Sequence, residues 1–202
     1  MKSLALIPCF SLAVAFSLNA QEIPRLTYDF GAGFTQTVGT TGKNLDQGWN
    51  VEGGPTYNLM PFLGVKLDLG YNSFGVNSAT LSNLGLQNGN FNVFSATVDP
   101  IVRLHPRGRI DPYFIGGYGV YHYTQSFTAP SGAALTAFSP FFGGFLANSY
   151  SATHGGVNGG AGVELALKGR WKIFAEARYD RIFLEGVQHH IDYVPVSFGF
   201  RF

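Results

Sequence analysis

The side chains best suited to chemistry stand in a few short stretches. His189-His190-Ile191-Asp192 puts three metal-capable groups within four residues, the ligand types that zinc and related cations take. Neighbouring histidines on an extended chain point to opposite sides, so this run supplies too few convergent ligands for a site, and no metal or other cofactor is expected. His122, His154, His189 and His190 also raise the acyl-transfer chemistry of a membrane-boundary hydrolase, in which a histidine takes the proton of an attacking serine. No serine stands beside a histidine with a carboxylate to orient it. Nucleophile, base and orienting acid cannot be assigned together, and a non-enzymatic protein is expected. Gly155-Gly156-Val157-Asn158-Gly159-Gly160 opens a strand with no helix behind it, so its glycines fit tight curvature or close strand packing better than a phosphate cradle.

The remaining ionisable groups follow a different rule. Asp29, Glu52, Asp68, Asp99, Glu164, Glu176 and Asp180, opposed by Lys66, Arg103, Lys172, Arg178 and Arg201, recur on one face of runs that alternate with period two. Leu63 to Asn72 is the clearest run, with Leu, Val, Leu, Leu and Tyr on one side and Gly, Lys, Asp, Gly and Asn on the other. Eight such segments follow one another at about 27–37, 48–59, 62–73, 91–104, 112–124, 155–167, 171–182 and 193–202. Each is close to the roughly 9–11 residues with which a tilted strand crosses a bilayer. In the fifth, glycines and aromatics occupy both faces and leave its register unassigned. Pro100, inside the fourth, marks either a bulge or a slip of register, because proline cannot donate to a ladder.

Composition decides what these strands face. Of 202 residues, 46% are hydrophobic, 15% aromatic and 12% charged, too little charge for an ordinary water-facing domain. Lys and Arg number 13 against 12 Asp and Glu, which leaves no basic footprint for nucleic acid. No stretch reaches 20 consecutive apolar residues, so helical spans are excluded. A soluble eight-stranded barrel would turn its apolar face inward and need a charged exterior. The twelve charges on the polar face fit instead an interior network of acids and bases. The apolar face then meets lipid, where a Lys or Arg near the midplane costs about 2–4 kcal/mol. The expected fold class is all-β, an eight-stranded antiparallel transmembrane up-and-down barrel whose interior is just wide enough to be filled by side chains.

Address and orientation come from the flanks and the connections. Met1-Lys2, the apolar stretch 4–16 and Ser17-Leu18-Asn19-Ala20 read as a signal peptide over 1–20, followed by one barrel domain over 21–202. Cys9, the only cysteine, falls within that signal, so no thiol is expected in the exported chain. Connections near 60–61, 105–111 and 168–170 are short, and those near 38–47, 74–90, 125–154 and 183–192 are long. The alternation suits a bacterial outer membrane, with turns and both termini in the periplasm and the long loops outside. Tyr28, Tyr57, Phe62, Trp171, Phe200 and Phe202 form one expected aromatic girdle, and Trp49, Tyr71, Tyr123, Tyr179 and Tyr193 the other.

Eight strands, long outer loops and interior ion pairs together resemble the small outer-membrane barrels of the OmpA and OmpX type. The ending Tyr193-Val194-Pro195-Val196-Ser197-Phe198-Gly199-Phe200-Arg201-Phe202 looks like their assembly signal, with Phe198, Phe200 and Phe202 alternating to a terminal aromatic. The resemblance implies insertion by the barrel-assembly machinery and contact with outer-membrane lipids, and it points to no single function. Nothing follows Phe202, so the wall-binding domain of full-length OmpA-type proteins is not expected.

The loops carry what is most particular to this chain. From Gln125 to Thr153 there is no charge, and Phe127, Phe138, Phe141, Phe142 and Phe145 stand among small residues. The stretch Phe74 to Asn90 is also uncharged and holds Leu81, Leu84 and Leu86. Either these loops pack on each other and plug the mouth, or they form an apolar contact surface for an extracellular partner, a lipid or a small apolar solute. The expected function is a non-enzymatic outer-membrane barrel with an envelope-structural or loop-mediated adhesion or partner-binding role. The alternative is a narrow pore or conduit for small or apolar solutes, as in OmpW-like barrels.

Overall fold

Residues 24–39, 41–128, 149–167, 169–184 and 190–202 are described by a computed structural model. The signal peptide, Phe138, Phe141, Phe142, Phe145 and His189 lie outside the described residues. Eight strands, β1 (Leu26–Thr37), β2 (Gly48–Met60), β3 (Leu63–Gly75), β4 (Asn88–Arg103), β5 (Ile110–Thr128), β6 (Ser149–Ala166), β7 (Lys172–Phe183) and β8 (His190–Arg201), pair with their sequence neighbours. β8 pairs with β1 and closes the barrel. Every ladder is antiparallel. The short connections share one end, the turn end, with Leu26 and Arg201. The long connections share the other, the loop end, where α1 (Ser78–Leu84) is capped by the Asn77 side chain and by Gly85 in the left-handed conformation.

The strand count and order match the sequence reading, but every strand except β7 is longer than expected. β5 has 19 residues and β6 has 18, well beyond the roughly 9–11 that a membrane needs. Pro100 produces neither a bulge nor a slip. Val98 pairs with Tyr118 and Ile101 with Ile115, so the step from one pair to the next is equal on β4 and β5 and the register is kept. The proline faces outward and by that register lies opposite Gly116.

The length of β5 is explained by a reversal of polarity along the strands. On β3 the outward residues run Leu63, Val65, Leu67, Leu69, Tyr71 and then Ser73, while inward Lys66, Asp68 and Asn72 give way to Phe74. β4, which runs the opposite way, begins with Asn88, Asn90 and Asn92 outward over Phe91 and Val93 inward. It then changes to Phe94, Ala96 and Val98 outward over Ser95, Thr97 and Asp99. On β5, outward Ile110, Phe114, Tyr118 and Val120 give way to His122, Thr124 and Ser126, over inward Tyr121, Tyr123 and Phe127. The changeovers are level, since Tyr71 pairs with Phe94 and Phe94 with His122. Below that level the exterior is apolar and the interior polar. Above it the arrangement is that of a water-soluble barrel, and the strands continue as a collar beyond the apolar band.

Glycines on β6 make room for the tyrosines of β5. A Cβ at Gly162 would stand 2.4 Å from Tyr113 Cζ, and one at Gly156 would stand 2.7 Å from Tyr121 Cε2. Large inward rings therefore face small inward residues across one ladder, and an eight-stranded lumen has room for little else.

Candidate functional site

The lumen holds two plugs in series. The first, at membrane depth, is a continuous chain of ion pairs from the turn end inward. Glu164 receives Lys172 Nζ at 2.7 Å, pairs with the Arg103 guanidinium at 3.5 Å and accepts from Arg201 Nη1. Arg201 also donates through Nε and Nη2 to Asp29 Oδ2 at 3.2 and 2.9 Å, and its guanidinium lies over the Tyr113 and Phe174 rings. Lys66 Nζ then bridges Asp29 Oδ1 at 2.7 Å and Asp68 Oδ1 at 2.9 Å. Arg178 carries the chain on, with Nη1 at 2.7 Å from Asp68 and 3.1 Å from Asp99, Nε on Glu176, and Nη2 3.9 Å from Glu52. Tyrosines complete the acids: Tyr113 donates to Glu176 at 2.6 Å and Tyr121 to Asp180 at 2.9 Å.

All twelve residues expected in the interior network lie on the inward face. Eleven are buried, and Lys172 at the turn end keeps its side chain 26% exposed. Pairing is uneven. Glu164 answers three bases, whereas Arg178 answers Glu52, Asp68, Asp99 and Glu176. A buried acid absent from the expected set is Asp111, whose Oδ1 accepts from the His105 backbone N–H at 2.8 Å and ties down the β4–β5 turn. It falls in the stretch 105–111 expected to be a turn, whereas β5 begins at Ile110.

Above the ions comes a neutral layer and then an apolar one. Thr35 donates to Asn72 at 2.7 Å, Asn50 to Thr35 at 3.0 Å and Ser197 to Asn50 at 2.8 Å. Next, Phe74 lies 6.1 Å from Phe91 and 5.8 Å from Tyr193, and Phe91 lies 5.7 Å from Tyr123 between ring centroids. Leu45, Val76, Leu86, Phe127, Ile182, Leu184 and Ile191 join this cluster, and Leu81 and Leu84 of α1 pack against it. The Phe74–Asn90 loop therefore folds onto the mouth of the barrel. Space left among the ions, beside Glu52, Asp68, Thr97 and Arg178, is about 20 Å³, the room of roughly one water.

Three expectations are corrected by this lid. Phe127 is not an outer-loop contact residue: it is on β5, faces inward and is 5% exposed. Tyr123 and Tyr193 do not belong to the outer girdle, because both are buried in the lumen above the polarity change. Trp49 and Tyr71 do face outward, with rings 5.6 Å apart, and Tyr179 is exposed. At the turn end Phe202 stacks on Tyr28 at 6.0 Å and meets Trp171 at 5.0 Å, while Phe198 and Phe200 are exposed on the outer face.

The histidines do not converge. His122 faces outward and its Nδ1 is 2.8 Å from Thr153 Oγ1, whereas His154 faces inward and stacks on Tyr123 at 5.8 Å. His190 Nε2 is 3.3 Å from Asp192 Oδ2, but that carboxylate already accepts from Arg181 Nε and Nη2 at 2.9 and 3.0 Å. Among the described residues no group of three His, Cys, Asp or Glu side chains is placed to hold a metal.

Comparison with known proteins bears on the whole barrel. The family description "Outer membrane protein beta-barrel domain" matches residues 3–202. Among solved structures, the chain is similar to Neisserial surface protein A, at 13% identity over 88% of this chain and 96% of that one with a TM-score of 0.62. A major outer membrane protein from Thermus thermophilus is similar at 11% identity, over 88% and 98%, with a TM-score of 0.59. The outer membrane protein OprG from Pseudomonas aeruginosa is similar at 15% identity, over 87% and 95%, with a TM-score of 0.50. No curated protein matches the sequence.

Proposed function

Because the chain belongs to the outer membrane protein beta-barrel domain family, whose place is the bacterial outer membrane, we propose that it is a closed, non-catalytic pedestal for its loops. In this reading the turn end and both termini face the periplasm. The collar of β5 and β6 carries the loops clear of the outer leaflet, where they make adhesive or partner contacts. The observation that supports this most directly is the pair of plugs in series, ion network below and aromatic cluster above. A conduit needs a path, and side chains fill the lumen from Glu164 to Phe127. The outward collar residues Asn88, Asn90, Thr124 and Ser126 suit water rather than acyl chains.

Conductance tests the reading. The refolded protein in a planar bilayer, with an unfolded sample as control, should give no discrete steps at moderate voltage. Regular steps would favour a narrow conduit instead and make the interior charges its selectivity filter. Replacing Phe141 and Phe142 by Ser should then leave folding intact and reduce binding to host surfaces or partner cells. Loss of folding instead would assign those rings to packing. Assembly would use Phe198, Phe200 and Phe202 as the signal read by the insertion machinery.

A further inference from the structure

The turn end carries a cavity that the ion network leaves unfilled. It holds about 120 Å³ and is lined by Thr27, Asn58, Arg103, Arg170, Lys172 and Arg201, with Pro24, Gly169 and Trp171 among the residues completing the wall. Every charged residue in that lining is basic. Their shared counter-ion, Glu164, lies behind the wall and already answers three of them. Lys172 has three N–H donors, and Glu164 takes one of them. Thr27 Oγ1 is buried and has no hydrogen-bond partner, an arrangement that natural structures rarely leave without a ligand or water. Around the mouth the exposed charged side chains among the described residues are Arg25, Arg107, Arg109 and Arg170, again all basic.

We propose that this cavity is an oxyanion site that takes a phosphate group presented at the turn end. Lys172 and Arg170 supply charge-assisted donors, Thr27 supplies a hydroxyl donor, and the Arg25, Arg107 and Arg109 rim steers anions toward the mouth. The phosphate comes either from a free anion or from the headgroup of an anionic phospholipid at the rim. Only the compartment supplying it, the periplasm, rests on the orientation proposed above.

The refolded barrel in a zwitterionic detergent is titrated with inorganic phosphate, glycerophosphoglycerol and dihexanoyl phosphatidylglycerol, followed by calorimetry and phosphorus NMR. At least one probe should bind saturably. Lys172→Gln, and independently the exposed Arg170→Gln, should weaken binding about tenfold, the worth of one charge-assisted hydrogen bond. Thr27→Val should weaken it severalfold without lowering thermal stability, because it removes a hydroxyl that bonds to nothing in the protein. Lys43→Gln, an exposed cation at the opposite, loop end of the barrel, should leave it unchanged. Binding of inorganic phosphate identifies a free anion as the source, and binding confined to phosphatidylglycerol identifies the headgroup. No saturable binding of any probe, or binding insensitive to both Lys172→Gln and Thr27→Val, overturns the proposal. Orientation is read separately, by labelling Arg107→Cys and Asn83→Cys on whole cells with an impermeant maleimide, so the two failures cannot be confused.

Discussion

Lys66→Met is the sharpest perturbation of the ion plug. The ammonium is fully buried and joins Asp29 at 2.7 Å to Asp68 at 2.9 Å, so among the described residues it is the one ion-pair link between the Glu164 group and the Arg178 group. Removing one partner of a buried pair costs about 3–5 kcal/mol, because the other charge is left uncompensated. Here each acid keeps a second base, Arg201 for Asp29 and Arg178 for Asp68, which places the expected loss near the lower end, about 3 kcal/mol. Urea unfolding of the barrel in lipid vesicles reads this directly. With a slope of about 1–3 kcal/mol per molar, the midpoint should fall by roughly 1–3 M. Changing Asp29 and Asp68 to Asn as well should restore much of the loss, since neutral groups of similar volume remove the stranded charge. A midpoint for Lys66→Met equal to that of the parent would refute the claim that Lys66 couples the two groups. A triple variant no more stable than the single one would refute the electrostatic cause and leave packing.

Two further outcomes test the polarity change and the lid. Val98→Arg, outward and 54% exposed within the apolar band, should cost about 2–4 kcal/mol as a lipid-facing cation. Asn90→Arg, on the same face of β4 but above the change, should stay within about 0.5 kcal/mol as an ordinary surface substitution. Equal costs in vesicle unfolding would mean that the band does not end where the side chains change. Phe91→Ala should lose about 3–5 kcal/mol in the same assay, as for a buried aromatic, since its ring is buried between Phe74 and Tyr123. A near-neutral result would show that the lid packs loosely.

Much of the barrel was legible because lipid outside and polar groups inside give the spanning parts of β2, β3, β7 and β8 a period-two alternation. Glu52, Lys66, Asp68, Glu176 and Arg178 could be placed inward from the sequence on that rule alone. The rule misled where its premise lapsed. Above the level of Tyr71, Phe94 and His122 the exterior is no longer apolar, so Phe127, Tyr123 and Tyr193 look like membrane-boundary or loop aromatics although they face the lumen. β5 crosses the change midway, with tyrosines at 113, 118, 121 and 123 on both sides of it. No single face assignment fits such a strand, and its inward Asp111 was missed because the strand begins at Ile110, before the expected start at 112. Which acid meets which base was also beyond the sequence. That depends on the stagger of the ladders, as in the pairing of Arg201 with both Asp29 and Lys172.

The two plugs answer two different constraints on the same strands. A lumen filled with apolar side chains throughout would pack well, but the spanning part of β5, whose outward face already carries Ile110, Phe114, Tyr118 and Val120, would then be apolar on both faces and lose the period-two pattern that marks a strand with one face to lipid. Inward Lys66 and Asp68 on β3 and Glu176, Arg178 and Asp180 on β7 keep the alternation in the spanning segments. Their desolvation is offset only when each charge has several partners, which is what Lys66, Arg178 and Glu164 provide. Beyond the membrane the constraint reverses. Water lies outside, the outward positions must be polar, and the lumen is free to take the ordinary apolar core that ions would fill poorly. The depth of a segment is therefore written in which of the strand's two faces is apolar there. Moving the polarity change by two residues on β3, β4 and β5 together, rather than on one strand alone, is the alteration the fold should tolerate.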